Sequence, residues 1–161
     1  MKQFSIARRT TLLLSVALLT ACASGVKLDD VDGKSGSAGT DYSSQPWNDP
    51  KSPLFKRSVY FDFDSYAVKA EYQATLQAHA NYLKANKDRK IKIEGNTDER
   101  GTTEYNLALG QRRSEAVRKS LSLLGVSDSQ MEAVSFGKEK PKAEGSNEAA
   151  WQENRRADIA Y

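Results

Sequence analysis

The chain has 161 residues, of which 39% are hydrophobic and 28% are charged, enough for one small domain with a single core besides a terminal segment. Its formal net charge is +3, and Lys2, Arg8 and Arg9 account for the whole excess, since residues 22–161 hold 21 basic and 21 acidic residues. A nucleic-acid-binding protein needs a basic patch, and none of the basic runs here is interleaved with aromatic residues. We therefore set aside nucleic acid as a partner.

The first 21 residues have the composition of a secretory signal. Basic residues are followed by an apolar run from Leu12 to Leu19 and then by the small residues Thr20 and Ala21. The apolar run is far shorter than the ~20 residues of a transmembrane helix, which argues against the alternative of a membrane-spanning anchor. We predict a signal peptide over residues 1–21.

The sequence Leu19-Thr20-Ala21-Cys22 resembles a lipobox, in which the cysteine is lipidated and becomes the first residue of the mature protein. Cys22 is the single cysteine of the chain, so it has no partner for an internal disulfide. We predict that Cys22 carries several acyl chains, palmitate among them, which suffice for stable anchoring. Ala23 stands where lipoprotein sorting rules place aspartate in proteins kept at the inner membrane, which implies the outer membrane.

Residues 22–57 are rich in Gly, Ser, Asp, Lys and Pro and show no periodic apolar pattern. This composition predicts a disordered tether with a coil span of roughly 30 Å and a stretched limit on the order of 120 Å. Phe55 is predicted to dock on the following domain. For Trp47, docking and exposure are equally open.

Residues 58–161 are predicted to form one domain, because apolar residues alternate in some segments and recur at helical spacing in others. The order βαβα-β-αβ predicts the α+β class, a two-layer sandwich with helices on one face of a mixed four-stranded sheet. The predicted elements are a strand from Val59 to Phe63, a helix from Ala67 to about Asn86, a strand from Ile91 to Gly95, a helix from Thr103 to about Leu124, a strand around Val134 and Phe136, a short helix capped by Asn147 and a strand from Ala157 to Tyr161.

Polar residues mark several helix ends in this prediction. Thr102 is expected to cap the second long helix and Gly125 to end it. Ser127 and Gln130 are expected to form a capping box around a short turn. His79 lies beside the apolar stripe of the first helix, where a hydrogen-bonded core histidine is favoured over a ligand-binding role.

Arg113 falls on the apolar stripe of the second helix, at steps of four residues from Leu109, Val117 and Leu121. A guanidinium there is costly unless it pairs with a carboxylate, either from the protein or from a ligand. Asp98, in the loop before the helix, is the nearest carboxylate in the sequence. One positive and one negative charge suggest a site for an amino-acid headgroup, and the alternative is a structural salt bridge between the two residues.

The ends of the first two strands and the start of the second helix are predicted to meet, provided that these strands are parallel neighbours. Free N–H groups at the helix start would then bind a ligand carboxylate. Phe63 is either core or pocket wall, and Asp64 is either a helix cap or a ligand contact. Thr97 ends the second strand, and Asn106, two turns before Arg113, would orient a ligand or Arg113 itself.

Catalysis has little support in the sequence, which has no second histidine, no metal-ligand spacing and no Gly-x-Ser-x-Gly element. We expect no metal and no cofactor. The best enzymatic alternative is Asp64 with Asp98 as the carboxylate pair of a glycosidase, which requires a raised pKa in one of them. An arginine beside Asp98 would instead lower its pKa. Glu99 and Arg100 are expected to form a surface ion pair that contributes little.

Five segments together resemble the OmpA-like peptidoglycan-binding domain, most closely that of the Tol-system lipoproteins. The resemblance implies a non-enzymatic domain that binds the free end of diaminopimelate in the peptidoglycan stem peptide, with Asp98 and Arg113 holding its ammonium and carboxylate groups. It also implies that Arg155 or Arg156 supports the site, without deciding between them. The segments are VYFDFDSY (59–66), LQAHANYL (76–83), EGNTDERGTTEYNLALGQRR (94–113), SFGKEKP (135–141) and NRRA (154–157).

The same resemblance implies the partners of a periplasmic domain on a lipid anchor. These are peptidoglycan, the outer membrane, the propeller protein TolB, and other Tol and OmpA-type proteins. TolB would cover the same face as peptidoglycan, so the two would exclude each other. The implied function is to tether the outer membrane to the wall in envelope integrity and cell division. The alternative is an OmpA-like wall-binding lipoprotein without a Tol partner.

Overall fold

Four strands and three helices lie within residues 45–161, the part of the chain that the computed structural model describes. The predicted signal peptide, Cys22 and most of the predicted tether lie outside these residues. Short 3-10 turns at Ala70–Tyr72 and Asp128–Gln130 complete the elements. The strands are β1 (Ser58–Tyr60), β2 (Ile91–Asn96), β3 (Met131–Gly137) and β4 (Arg156–Ala160), and the helices are α1 (Gln73–Ala85), α2 (Thr103–Leu123) and α3 (Glu148–Asn154).

The strands form one sheet in the order β1-β4-β2-β3. β4 runs antiparallel to both of its neighbours, and β2 and β3 are parallel. The prediction that β1 and β2 are neighbours is wrong, because β4, the last strand in the chain, lies between them. Since both are antiparallel to β4, β1 and β2 still point the same way. β1 and β2 finish at one end of the sheet, which we call the site end. β4 finishes at the opposite end, which we call the distal end.

The core lies between one face of the sheet and the two long helices, which confirms the predicted two-layer α+β class. On β2, Ile91 and Ile93 are buried and Lys92 between them is exposed, as the period of two requires. Burial of such apolar side chains is the main favourable term in folding. Within residues 45–161, none of the helices combines the length and apolar character needed to cross a bilayer. The other fully buried core side chains are Val59, Phe61, Leu76, Ala80, Leu83, Val117, Leu121, Ala157 and Ile159.

β1 is shorter than the alternating pattern predicted. Pairing with β4 stops at Tyr60, and Asp64 adopts a φ of 56°, a left-handed conformation that turns the chain. Phe61 is buried as predicted, whereas Phe63 is 61% exposed. α1 also begins later than predicted, at Gln73, because the residues before it form a 3-10 turn.

The caps of α2 and α3 are confirmed. The side chains of Thr102 and Asn147 each accept a hydrogen bond from the backbone N–H three residues on, at 3.2 and 3.1 Å. Gly125 follows α2 with a φ of 91°. The predicted capping box is wrong, because Ser127 makes no side-chain cap and the amide of Gln130 donates to backbone carbonyls at and beyond the end of α1, at 3.0–3.1 Å.

Part of the predicted tether packs against the domain at the distal end. Trp47 is 5% exposed, and its ring stacks on Tyr161 with centroids 4.3 Å apart and planes 6° from parallel. Tyr82 contacts both rings edge-on. We call Trp47, Tyr82 and Tyr161 the aromatic clasp. The predicted docking of Phe55 is wrong, since Phe55 is 45% exposed.

His79 lies beneath this clasp and is fully buried. Its Nε2 is 2.9 Å from the carbonyl of Lys56, which can only accept, so Nε2 donates. Its Nδ1, 2.7 Å from the Tyr161 hydroxyl, therefore accepts. Burial lowers the pKa of His79 below its ordinary value. The prediction of a hydrogen-bonded core histidine is confirmed.

Candidate functional site

A cavity of about 230 Å³ lies at the site end, between the segment after β1, the loop after β2 and the start of α2. All six residues predicted to contact a ligand line this cavity. Their roles as ligand contacts stay predictions. A wider groove of about 610 Å³ runs along α2, but none of the side chains that line it is buried. The cavity is lined by Phe63, Asp64, Thr97, Asp98, Arg100, Gly101, Tyr105, Asn106, Leu109 and Arg113.

Two glycines allow α2 to lie directly against β2. A Cβ atom on Gly95 would lie 1.8 Å from the carbonyl oxygen of Gly110, and one on Gly110 would lie 2.3 Å from Oγ of Ser135. Only glycine permits this approach of helix and strand backbones. Arg113, one turn further along α2, is thereby placed over the ends of β1 and β2.

Arg113 is fully buried, and its guanidinium binds backbone rather than a carboxylate. It donates to the carbonyls of Asn96 and Ser65 at 2.8 Å and to that of Asp62 at 3.2 Å. Burial lowers the pKa of Arg113 to about 10, with the nearby charge of Asp98 opposing this shift, so the side chain stays positive at neutral pH. The hypothesis of a structural salt bridge with Asp98 is wrong, because no ion pair joins these two residues in the described structure.

Asp98 is 4% exposed, and its partners are two other arginines. Arg100 donates to it from its backbone N–H at 3.1 Å, from Nε at 3.2 Å and from Nη2 at 2.7 Å, and Arg155 donates from Nη1 at 3.4 Å. Burial would raise the pKa of Asp98, but these hydrogen bonds outweigh it and lower the pKa below its ordinary value. A glycosidase acid needs the opposite shift.

Arg155 is therefore the arginine of the NRRA segment that reaches the site. It is 5% exposed and also donates to the carbonyl of Phe61 and to Oε1 of Glu148, at 3.2 and 2.6 Å. Arg156 points elsewhere, donating from Nε to Asp158 at 2.8 Å. Arg155 caps the end of α3 and Arg156 is the first residue of β4, so the two neighbours have different surroundings.

Thr97 and Asn106, both buried, fix the loop that carries Asp98. The hydroxyl of Thr97 donates to the carbonyl of Asp98 at 3.0 Å. Asn106 donates from Nδ2 to the carbonyl of Arg100 at 2.9 Å, rather than to Arg113 as one prediction had it. The two side chains hold the loop backbone at Asp98 and two residues after it, which gives the carboxylate of Asp98 a defined position.

Asp64 and Phe63 form the outer wall of the cavity, and both are exposed. Asp64 accepts a hydrogen bond from the Tyr105 hydroxyl. Asp64 does not cap α1, whose N-cap position is Tyr72. A carboxylate at this mouth adds negative charge beside the cationic Arg113.

The role of Arg100 at the site was not predicted from the sequence. The predicted surface pair with Glu99 is wrong, because Glu99 accepts from Nε1 of Trp151 at 3.0 Å and Arg100 binds Asp98. The Arg100 guanidinium lies between the rings of Phe63 and Trp151, 4.3 and 4.0 Å from their centroids. A loop residue has no periodic pattern, so the sequence held no signal for this contact. Within the described residues, no cluster of three or more side chains is arranged to hold a metal ion.

The sequence model of the OmpA family matches residues 60–155, which include the last residue of β1 and the whole of β2 and α2. The fold described above is thus that of an OmpA-family domain. Two relatives from other bacteria extend the match beyond the domain. A peptidoglycan-associated lipoprotein of Pasteurella multocida is 46% identical over 91% of this chain and 92% of its own, and one of Haemophilus influenzae is 44% identical over the same shares.

A solved structure agrees with these relatives. The crystal structure of the peptidoglycan-associated lipoprotein from Burkholderia pseudomallei has 70% sequence identity and a TM-score of 0.71, and the match covers 73% of this chain and 99% of that one. The chain therefore belongs to the OmpA family and, within it, to the peptidoglycan-associated lipoproteins.

Proposed function

We propose that the protein is an outer-membrane lipoprotein whose periplasmic domain binds the diaminopimelate end of peptidoglycan stem peptides without covalent chemistry. The observation that carries this proposal is the presence of a buried cation, Arg113, and a buried carboxylate, Asp98, in the same cavity without an ion pair between them. The zwitterionic end of an amino acid has a carboxylate that can pair with Arg113 and an ammonium group that can pair with Asp98. The names of its relatives, peptidoglycan-associated lipoproteins, support the choice of ligand.

The specificity follows from the cost of leaving Arg113 unmatched. A stem peptide that ends in lysine has the ammonium group but lacks the distal carboxylate. A buried cation without its ligand partner costs on the order of several kcal/mol, so the lysine-type stem should bind much more weakly. The lipid on Cys22 and the wall ligand together would make the protein a tether between outer membrane and peptidoglycan.

Calorimetric titration tests the proposal on residues 22–161 with Cys22→Ser, which removes the lipid. The wild-type site should bind a diaminopimelate stem peptide and bind the lysine-type peptide at least tenfold more weakly. Asp98→Asn and Arg113→Gln should each lose binding, and circular dichroism checks that each variant is folded at the temperature of the titration. Equal affinity for the two peptides would contradict the proposal. This comparison uses the wild-type protein alone, so it does not depend on whether the variants fold.

The Tol partnership forms the second part of the proposal. Co-purification of the protein with TolB, competed by the diaminopimelate peptide, would support a Tol-system lipoprotein. Binding to peptidoglycan without TolB would instead favour a wall-binding lipoprotein of the OmpA type. The glycosidase alternative has no support from the site, because the pKa of Asp98 is lowered.

A further inference from the structure

We propose that Arg100 is an internal competitor of the ligand: its guanidinium occupies Asp98 and must leave before an ammonium group can bind there. This inference rests on the proposed function, since it concerns the same site. It begins from the hydrogen bonds of Asp98, whose side chain is 6% exposed and therefore out of reach of bulk water.

The carboxylate of Asp98 has no acceptor capacity left for a ligand. Oδ1 accepts from the backbone N–H and Nε of Arg100, and Oδ2 accepts from Nη2 of Arg100 and Nη1 of Arg155. A carboxylate offers about four acceptor positions, and all four are used. A ligand ammonium therefore needs one of the two guanidinium groups to move.

Arg100 is the one that is free to move. The side chain of Arg155 is 6% exposed and is held by Phe61 and Glu148 as well as by Asp98. The side chain of Arg100 is 34% exposed, and every side-chain hydrogen bond it makes within residues 45–161 goes to Asp98. Releasing Arg100 thus breaks a single ion pair, whereas releasing Arg155 would break three contacts in the buried part of the site.

The exposed ring of Phe63 makes this exchange gradual rather than a full release into water. Phe63 is 61% exposed and can follow the guanidinium outwards as it leaves the ring of Trp151. Arg100 also lines the cavity itself, so its guanidinium stands in the space that a ligand headgroup would enter. Displacement of Arg100 would then both free Asp98 and open the cavity.

The competition predicts that removal of the guanidinium strengthens ligand binding. In the unlipidated mature chain, Arg100→Gln should bind a diaminopimelate stem peptide about tenfold more tightly than wild type, as expected when a charge-assisted pair no longer has to be broken. Arg112→Gln is the matched control, because Arg112 also lies over an aromatic ring, that of Tyr66, but does not line the cavity. It should bind within about twofold of wild type.

The fluorescence of Trp151 gives a second readout, independent of the measured affinity. Ligand binding to the wild type should shift the fluorescence of Trp151, because the guanidinium leaves its ring, and binding to Arg100→Gln should not. Trp47, at the distal end, contributes a constant background. If Arg100→Gln does not fold, Arg100→Lys replaces the two-point contact by a single ammonium and should still bind about threefold more tightly than wild type.

The outcomes separate this inference from the function on which it rests. Binding by wild type with equal or lower affinity in the Arg100 variants would overturn the competition and leave the proposed function standing. Absence of binding in the wild type and in every variant would overturn the proposed function, and the competition with it. Tighter binding in Arg100→Gln, unchanged in Arg112→Gln, is the result expected.

Discussion

Arg113 and Asp98 are buried in one cavity, yet neither neutralises the other. The positive charge of Arg113 is spread over three backbone carbonyls, which are dipoles and carry no net charge. The negative charge of Asp98 is met by two other arginines, Arg100 and Arg155, both of which lie outside α2. The site therefore has two unequal halves. Arg113 can accept a ligand carboxylate as it stands, whereas Asp98 can accept an ammonium group only after an arginine has left it.

The pKa of Asp98 gives a prediction at the scale of one residue. Because its folded-state pKa is below the ordinary value of 3.8, ionised Asp98 contributes stability that is full above that value and is lost as the pH falls through the lower, folded value. The difference in unfolding free energy between wild type and Asp98→Asn, measured in urea, should be constant from pH 7 to 5 and shrink below 3.8. A loss already between pH 7 and 5 would indicate a raised pKa and contradict this account.

His79 gives a second prediction, in which stability again decreases as the pH falls, here because a buried imidazole becomes protonated. Its pKa lies below the ordinary 6.5 because of burial, so the neutral form is the one that folds, and stability falls as the pH drops below 6.5. His79 is the single histidine of the chain, which assigns any slope between pH 7.5 and 5.5 to this residue. As the pH falls from 7.5 to 5.5, the unfolding free energy of the wild type, measured in urea, should decrease. That of His79→Gln should stay constant. Parallel curves for the two proteins would show that His79 is not the origin.

At the scale of elements, the approach of α2 to β2 depends on glycine. In Gly95→Ala the new Cβ would lie 1.8 Å from a backbone oxygen, which cannot rotate away. We expect a loss of about 2–3 kcal/mol in unfolding free energy as the helix moves off the strand. Lys92→Ala, an exposed position on the same strand, is the control and should change stability by less than about 0.5 kcal/mol. A small effect of Gly95→Ala would mean that α2 is not fixed at this contact.

The helices and strands could be predicted from the sequence wherever a local rule governs them. The helical period of α2 placed Arg113 on the buried stripe, and Thr102 marked the start of the helix. Strand order was not accessible, because the insertion of β4 between β1 and β2 is set by contacts distant in sequence. For the same reason, the carbonyl partners of Arg113 and the ring contacts of Arg100 could not be predicted, since both depend on how loops meet in space.

At the scale of the whole molecule, the aromatic clasp fixes the segment before β1 to the domain. Trp47→Ala removes the stack on Tyr161 and should lower the unfolding free energy by about 3–5 kcal/mol, as large-to-small substitutions of buried aromatic residues do. Phe55→Ala, on the same segment but exposed, should cost less than about 0.5 kcal/mol. Thermal unfolding followed by circular dichroism compares them, and equal effects would contradict the assignment of the docking residue to Trp47.

The clasp and the cavity lie at opposite ends of the sheet, and this has a mechanical consequence if the protein links a membrane to a wall, as we propose. A pull that enters at Gln45 and leaves through a ligand in the cavity runs along the strands. β1 would then slide against β4, and the hydrogen bonds of the pairs from Ser58–Asp158 to Tyr60–Arg156 would be strained together. Bonds strained in parallel resist extension better than bonds that open one after another, as they do in a hairpin pulled apart from one end.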